Sequence, residues 1–165
     1  MNKNAKRRDK INYYLDIAQV VGERGTCLRR RFGALIVNND EIISTGFVGS
    51  PRGRENCCDR NTCLREEMNI PKGQRYETCR SVHAEANCII SASRRDMLGS
   101  ALYLVCVDAN TGEIDGMVEP CSMCKRLIIN AGISTVTVRV NNDEYNTIDV
   151  EKWVSDDDTV ASQGY

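Results

Sequence analysis

The sequence predicts an α/β fold in which helices cover a mixed β-sheet, and three observations support this. The 165 residues suit one domain. Helical and strand-like hydrophobic patterns follow each other in the order helix, hairpin, irregular segment, helix, strand, helix, strand. Hydrophobic residues make up 41%, charged residues 27%, and there are three prolines, which is typical of a globular chain and excludes collagen, coiled coil and wholesale disorder.

A helix, a hairpin and an irregular segment are predicted first. Apolar residues recur at helical spacing over residues 9–24. Two strand patterns, 32–37 and 41–47, flank the turn sequence Asn38-Asn39-Asp40, which indicates a β-hairpin. Glycine and proline punctuate residues 48–81, so this long segment is predicted to be irregular.

The second half alternates helices with strands, predicted in order over 82–95, 101–107, 121–131 and 134–140. Residues 141–165 are acidic, with a short helix expected around Trp153. No repeat or long linker divides the chain, so residues 1–165 are predicted to form a single domain. Its ends, 1–8 and 156–165, are expected to be mobile tails.

Charge and hydropathy exclude several partners. The net charge of −1 and the 5% aromatic content disfavour a nucleic-acid surface, although residues 1–32 carry a charge of +6. No apolar run approaches the roughly 18 residues that a membrane span needs. The N-terminus lacks the apolar region of a signal peptide, so we expect a cytoplasmic protein with no membrane partner.

Nine cysteines accompany a single histidine. The odd number and the absence of an export signal favour metal ligands or buried thiols over disulfides. Cys88 and Cys106 fall on a predicted helix face and a predicted buried strand, so we expect them to be small apolar core residues.

Two short motifs open two predicted helices. His83-Ala84-Glu85 begins one, and Pro120-Cys121-Ser122-Met123-Cys124 begins the other. Two cysteines three residues apart at a helix start can hold one ion, and a ligand from the facing helix gives a three-ligand zinc site with an open fourth position. Zinc in such a site lowers the pKa of bound water, and Glu85 could move the resulting proton.

The paired motifs resemble the H-x-E…P-C-x-x-C signature of the zinc-dependent cytidine/deoxycytidylate deaminase superfamily. The resemblance extends to the deoxycytidylate deaminase branch and covers about residues 10–140. It is carried, besides the second motif, by segments 42–47, 49–53, 56–59 and 80–87.

The resemblance implies a cytidine-deaminase-like three-layer α/β/α fold and the hydrolytic deamination of dCMP to dUMP and ammonia. It implies that His83, Cys121 and Cys124 hold a catalytic Zn²⁺ and that Glu85 is the general acid/base. The Ala84 backbone N–H would face the pyrimidine carbonyl. The implied partners are a pyrimidine nucleotide and further copies of the chain.

A second metal site is also suggested by resemblance. Deoxycytidylate deaminases of phage type have a structural zinc that ties down the same irregular segment. Cys27, Cys57, Cys63 and Cys79 would supply four thiolates from comparable places. The alternative is that these cysteines are reduced thiols without a metal.

The sequence also offers candidate contacts for the sugar and the phosphate of the substrate. Val48 stands where the family usually has an asparagine that helps hold the sugar or an effector nucleotide, and residues 108–119 replace a short turn, so we expect them at the rim of the site. Arg31, in a run of three arginines, and Lys125, near a helix start, are candidate phosphate contacts. The sugar, the phosphorylation state and a nucleotide effector stay open.

Three other functions are compatible with the same motifs. One is a deaminase for tRNA adenosine, free cytidine or a pterin-like ring. Another is a non-catalytic, zinc-stabilised nucleotide-binding module, which has no need of Glu85. The third is a redox dithiol at Cys121 and Cys124, which would lack the preceding strand of a thioredoxin pattern.

Overall fold

A five-stranded mixed sheet forms the centre of the computed structural model, which describes residues 7–156. Its strands are β1 (Arg30–Asn38), β2 (Glu41–Phe47), β3 (Ala101–Asp108), β4 (Thr135–Arg139) and β5 (Tyr145–Asp149). They lie in the order β2-β1-β3-β4-β5. Only β3 and β4 run parallel, while the other neighbours are antiparallel. The predicted mixed sheet is confirmed.

Helices cover both faces of the sheet. They are α1 (Lys10–Gly22), α2 (Cys57–Arg60), α3 (Leu64–Glu67), α4 (Ala84–Ile90), α5 (Arg94–Met97), α6 (Ser122–Ala131) and α7 (Val150–Asp156), with a 3-10 turn at Tyr76–Thr78. On one face, Leu15 of α1 packs in a cluster with Leu35 and Val105. On the other face, residues of α4, α6 and α7 pack against strand residues such as Leu104. The three-layer α/β/α architecture is therefore confirmed.

The hairpin turn and the short helix near Trp153 match their predictions. Asn39 and Asp40 adopt positive φ angles of 48° and 69°, which suits a tight two-residue turn between twisted strands. Trp153 lies buried in α7. The segment 48–81 is largely irregular as predicted, with α2, α3 and the 3-10 turn as its only helical pieces among the described residues.

Two predictions about local structure were wrong. The helix expected over 82–95 ends at Ile90, and α5 starts separately because the Ser93 side chain caps it by accepting a hydrogen bond from the Arg95 N–H. Strand β5 was missed since its residues are mostly exposed at the sheet edge and show no buried alternation.

Residues 1–8 and 156–165 are predicted to be mobile tails. Most of them, 1–6 and 157–165, lie outside the residues that the structure describes. Within the described residues, Arg8 forms ion pairs with Asp16 and Asp143. No helix within residues 7–156 is both long enough and apolar enough to cross a bilayer.

A buried arginine joins α1 to the sheet. Arg139 of β4 is 2% exposed and forms an ion pair with Asp16 of α1. It also donates hydrogen bonds to the Asn12 carbonyl (3.1 Å) and to Gln19 Oε1 (2.9 Å). Burying a guanidinium is costly unless its donors form hydrogen bonds. Both terminal nitrogens of Arg139 are bonded to α1, although its Nε has no partner among the described residues, so these contacts fix the position of α1 on the sheet.

Asp16→Asn is expected to lower the free energy of unfolding by about 1–2 kcal/mol at neutral pH, because Arg139 loses its charged partner. Burial raises the pKa of Asp16, but hydrogen bonds from Arg8 and Arg139 outweigh it and keep this pKa below its usual value. The stabilisation is therefore present above the unfolded-state pKa of about 3.9 and is lost as the pH falls through the folded-state pKa. Urea denaturation across this pH range would measure both effects.

The matched control is Asp143→Asn, which removes an exposed partner of Arg8 and should change stability by less than about 0.5 kcal/mol. An equal loss in the two variants would contradict a special role for the buried arginine.

Candidate metal centre and active site

The two sequence motifs meet at the starts of two neighbouring helices. His83 is the N-cap residue of α4, and Cys121 is the N-cap residue of α6, each with an extended backbone. Cys124 lies in the first turn of α6. Because α4 and α6 pack against each other on the same face of the sheet, the three side chains converge.

The converging side chains present three metal-ligand atoms. His83 Nδ1 lies 3.4 Å from Cys121 Sγ and 3.5 Å from Cys124 Sγ. All three atoms are within 4.8 Å of one another, and within residues 7–156 this is the one group of histidine, cysteine or acidic side chains arranged closely enough to hold a metal. One nitrogen and two sulfurs at this separation suit a single Zn²⁺.

The chemistry of the donor set also fits zinc. Thiolates, and not thiols, bind metal ions. A hydrogen bond with Cys124 and, against the effect of burial, one with His83 lower the pKa of Cys121 well below that of a free thiol. The same hydrogen bond, together with burial, raises the pKa of Cys124, so the pair favours the thiolate on Cys121. One imidazole nitrogen and two cysteine sulfurs are donors that Zn²⁺ binds, so the residues present fit this ion.

Glu85 lies beside this cluster, in the first turn of α4, and is 4% exposed. Burial raises the pKa of its carboxyl, while the nearby His83 opposes the shift. A raised pKa brings a carboxyl group closer to the range in which it can both accept and release a proton at neutral pH. The side chain lines the same cavity as His83 and Cys121.

The position of α4 depends on Gly46 in β2. A Cβ atom at Gly46 would lie 2.3 Å from the Ala84 carbonyl oxygen and 2.4 Å from the Cys88 backbone nitrogen. Only glycine permits this approach of strand to helix. Asn87 strengthens the contact by donating a hydrogen bond of 2.8 Å to the Phe47 carbonyl.

The cavity in front of the cluster is lined by residues from several elements. Val48 and Ala84, two of the four predicted substrate contacts, are among them, and their contact with a substrate stays a prediction. Four cationic side chains also line it: Arg29, Arg30, Arg65 and Lys72.

Arg31 and Lys125 do not line this cavity, in contrast to the sequence-based expectation. Side chains alternate along a strand, so Arg31 shares the α1 face of β1 with Leu35, while Arg30 points to the opposite face. Lys125 pairs with Glu119 at 3.4 Å and lies 5.1 Å from the centre of the Trp153 ring. The two predicted phosphate contacts therefore have other positions.

The segment 108–119 lies at the rim of the cavity, where the sequence placed it. Asp115 forms an ion pair of 2.7 Å with Arg30. Its backbone N–H bonds to the Cys106 carbonyl of β3 at 2.9 Å. Glu119, at the end of the segment, lines the cavity.

The remaining cysteines divide into two groups. Cys88 and Cys106 are fully buried core residues as predicted, and burial raises their pKa values to about 11 and 12. The four cysteines of the predicted second zinc site lie near one another, and Cys27, Cys63 and Cys79 line the cavity. Cys57 is buried, which raises the pKa of its thiol, and the other three cysteines add to this shift. Within the described residues their sulfurs are not as close as those of the first cluster, so the second site stays a prediction.

Tyr76 and Arg65 were missed by sequence reasoning. The Tyr76 ring stands edge-on to the His83 ring, with centroids 5.4 Å apart. The Arg65 guanidinium lies 4.8 Å from the centre of the same tyrosine ring. Both residues belong to the irregular segment, which has no hydrophobic period that could have marked them.

A His-Cys-Cys cluster with a buried glutamate, at two helix starts on one face of a mixed sheet, defines a zinc-binding α/β protein of the deaminase type. The family described as the cytidine and deoxycytidylate deaminase zinc-binding region matches residues 8–140. The chain belongs to this family.

Known proteins support the same assignment. The deoxycytidylate deaminase of Mycobacterium phage D29 is 33% identical over 79% of this chain and 94% of its own length. The deoxycytidylate deaminase of Schizosaccharomyces pombe is 30% identical over 82% of this chain, which spans only 38% of that relative. The crystal structure of dCMP deaminase from the cyanophage S-TIM5 in apo form matches the fold with a TM-score of 0.57, at 24% identity, over 81% of this chain and 85% of its own.

Gly46→Ala is expected to destabilise the protein by about 2–3 kcal/mol and to weaken zinc binding, because α4 and His83 must move away from β2. Thermal unfolding and competition with a chelator would measure the two effects. Gly49→Ala serves as the control, since its new Cβ would have its nearest contact, Thr26 Oγ1, at 3.2 Å. Unchanged zinc affinity in Gly46→Ala would show that the close approach does not position the ligands.

Proposed function

We propose that this protein catalyses the zinc-dependent hydrolytic deamination of dCMP to dUMP and ammonia. The observation that carries the proposal is the His83, Cys121 and Cys124 cluster with the buried Glu85 beside it. His83, Glu85 and Cys121 line the same cavity. The relatives named deoxycytidylate deaminase, one of them matched over nearly its full length, favour dCMP as the substrate.

Zinc bound by these three ligands would supply an activated water in its open fourth position. Glu85 would accept one proton from that water and deliver it to the pyrimidine ring nitrogen N3, where it stays in the product. It would then take the remaining proton from the new C4 hydroxyl and deliver it to the leaving amine. The water oxygen ends on C4, the C4–N bond breaks, and ammonia leaves, so the reaction balances without a further reactant. The burial that raises the pKa of Glu85 helps it to hold the proton between the two transfers.

Ala84 and Val48 are proposed to contact the substrate. Ala84 is the first residue of α4, where backbone N–H groups lack a partner within the helix. Its N–H is therefore suited to the pyrimidine carbonyl. Val48 follows β2 directly and lines the cavity, where it would offer apolar contact in place of an asparagine amide.

Glu85→Gln is expected to reduce dCMP turnover by about 10²–10⁴-fold, because the amide cannot carry the proton. Zinc content should remain unchanged, since Glu85 is not one of the three ligands. Ammonia release and elemental analysis would measure the two properties. The assay should include CMP, deoxycytidine, dCTP and adenosine beside dCMP.

Glu119→Gln is the matched control, since Glu119 lines the same cavity but pairs with Lys125 at the rim. It should keep turnover within a few-fold of the wild type. Full activity of Glu85→Gln would refute the proposed proton transfer, and preference of the wild type for adenosine would favour a deaminase for another base.

The second metal site is proposed as a structural Zn²⁺ on Cys27, Cys57, Cys63 and Cys79. What supports it is that four thiols from distant positions gather at the irregular segment, three of them at one cavity. A metal there would hold the segment in place, since four thiolates suit a closed structural zinc site.

Elemental analysis of the wild-type protein is expected to give two zinc ions per chain. Cys63→Ser should lower this to about one and reduce thermal stability, because three thiolates hold zinc less well than four. Cys58→Ser is the control, as Cys58 is exposed and lies outside the set. One zinc per wild-type chain, with Cys63→Ser harmless, would contradict the second site.

The family resemblance also suggests a domain organisation, a cellular location and an assembly for this protein. We propose one domain over residues 1–165, a cytoplasmic location, and assembly into a homo-oligomer, with regulation by a nucleotide effector as a further property of the same assembly. Gel filtration with and without nucleoside triphosphates would measure the assembly state and its response to a nucleotide effector.

A further inference from the structure

The cations around the cavity differ in how they are paired. Arg29 lies 3.4 Å from Glu66, and Arg30 lies 2.7 Å from Asp115. In the described part of the chain no carboxylate lies within ion-pair distance of the other two lining cations, Arg65 and Lys72. The unneutralised positive charge of the cavity is therefore concentrated on one wall, which residues 64–76 form.

Arg65 holds this wall together from inside. Its side chain is 5% exposed and donates hydrogen bonds to the carbonyls of Arg75 (2.6 Å) and Pro71 (3.0 Å). Its guanidinium also lies against the ring of Tyr76, an arrangement in which the ring face attracts the cation. The two carbonyls flank Lys72, so Arg65 fixes the turn that carries this lysine.

The turn itself is tight. The Gln74 N–H bonds back to the Pro71 carbonyl at 3.4 Å, and Gly73 adopts a φ of 87°, which favours glycine. Lys72 thus extends from a backbone that is anchored at both ends.

Lys72 is exposed to solvent where it lines the cavity. It lines the cavity together with His83 and Glu85. An ammonium group that lines the cavity and is reached by solvent is available to an anionic group of a ligand bound beside His83 and Glu85.

We propose that Lys72 is the residue that distinguishes a nucleotide from a nucleoside, by contacting the anionic phosphate of the substrate, and that Arg65 is the positioning residue that places it. This inference rests on the proposed function, since it concerns the same cavity and substrate. An ammonium ion is a strong donor to a phosphate oxygen, and the contact is lost when the ligand has no phosphate. It assigns to the 64–76 wall the contact that the sequence had suggested for Arg31 and Lys125.

Lys72→Met is the first test, because methionine keeps much of the length and removes the charge. The variant is expected to raise the KM for dCMP by about tenfold to a hundredfold, with kcat changed by less than about threefold. Calorimetry should show a matching loss of affinity for dUMP but not for deoxyuridine. Lys72 is exposed, so folding should be unaffected.

Arg31→Met is the matched control, since it removes one cation from the opposite face of the sheet. It should leave the KM for dCMP unchanged. Arg65→Met should reproduce the KM effect of Lys72→Met and also accelerate amide hydrogen exchange in residues 71–75, while Arg65→Lys should restore part of the affinity.

The inference would be overturned by an unchanged KM in Lys72→Met, or by equal losses of affinity for dUMP and deoxyuridine. It would also be overturned if Arg31→Met raised the KM as much as Lys72→Met. Its failure can be told from that of the proposed function. A wild-type protein that does not deaminate dCMP refutes the proposed function, whereas the comparison of dUMP with deoxyuridine needs no turnover.

Discussion

The close contact between β2 and α4 at Gly46 is the constraint on which the site depends. Because Gly46 has no side chain, the backbone of α4 can lie directly on the strand, and Asn87 fixes its rotation by bonding to the Phe47 carbonyl. This places His83 at the helix start opposite Cys121 and Cys124 of α6. It also buries Glu85, because the first turn of α4 faces the core. A single backbone approach therefore controls both the ligand geometry and the protonation chemistry.

Unpaired positive charge is distributed unevenly around the cavity. Two of its arginines are neutralised by carboxylates, one on α3 and one on the 108–119 segment. Within residues 7–156 no carboxylate lies within ion-pair distance of Arg65 or Lys72. The metal cluster and Glu85 occupy one part of the cavity, and the positive wall lies beside them. The proposed nucleotide substrate has a polar ring at one end and an anionic group at the other, which is compatible with this arrangement.

Some features were predicted well and others not, for identifiable physical reasons. The order of helices and strands was predicted from local hydrophobic periodicity, because each period marks the face that the folded element buries. The edge strand β5 has almost no buried face, so no period marked it. Arg31 and Lys125 were predicted as phosphate contacts from their positions in the sequence. Strand alternation places Arg31 on the α1 face of the sheet. Lys125 pairs with Glu119 and lies against the Trp153 ring.

By itself the sequence determined the α/β class and identified His83, Glu85, Cys121 and Cys124 as candidate site residues, because metal ligands at helix starts require particular residue types at short spacing. Only the tertiary structure decided that Arg65 and Tyr76 belong to the site and that Lys72, not Lys125, faces the cavity. These positions depend on contacts between residues far apart in the chain, and an irregular segment carries no local pattern from which such contacts can be derived.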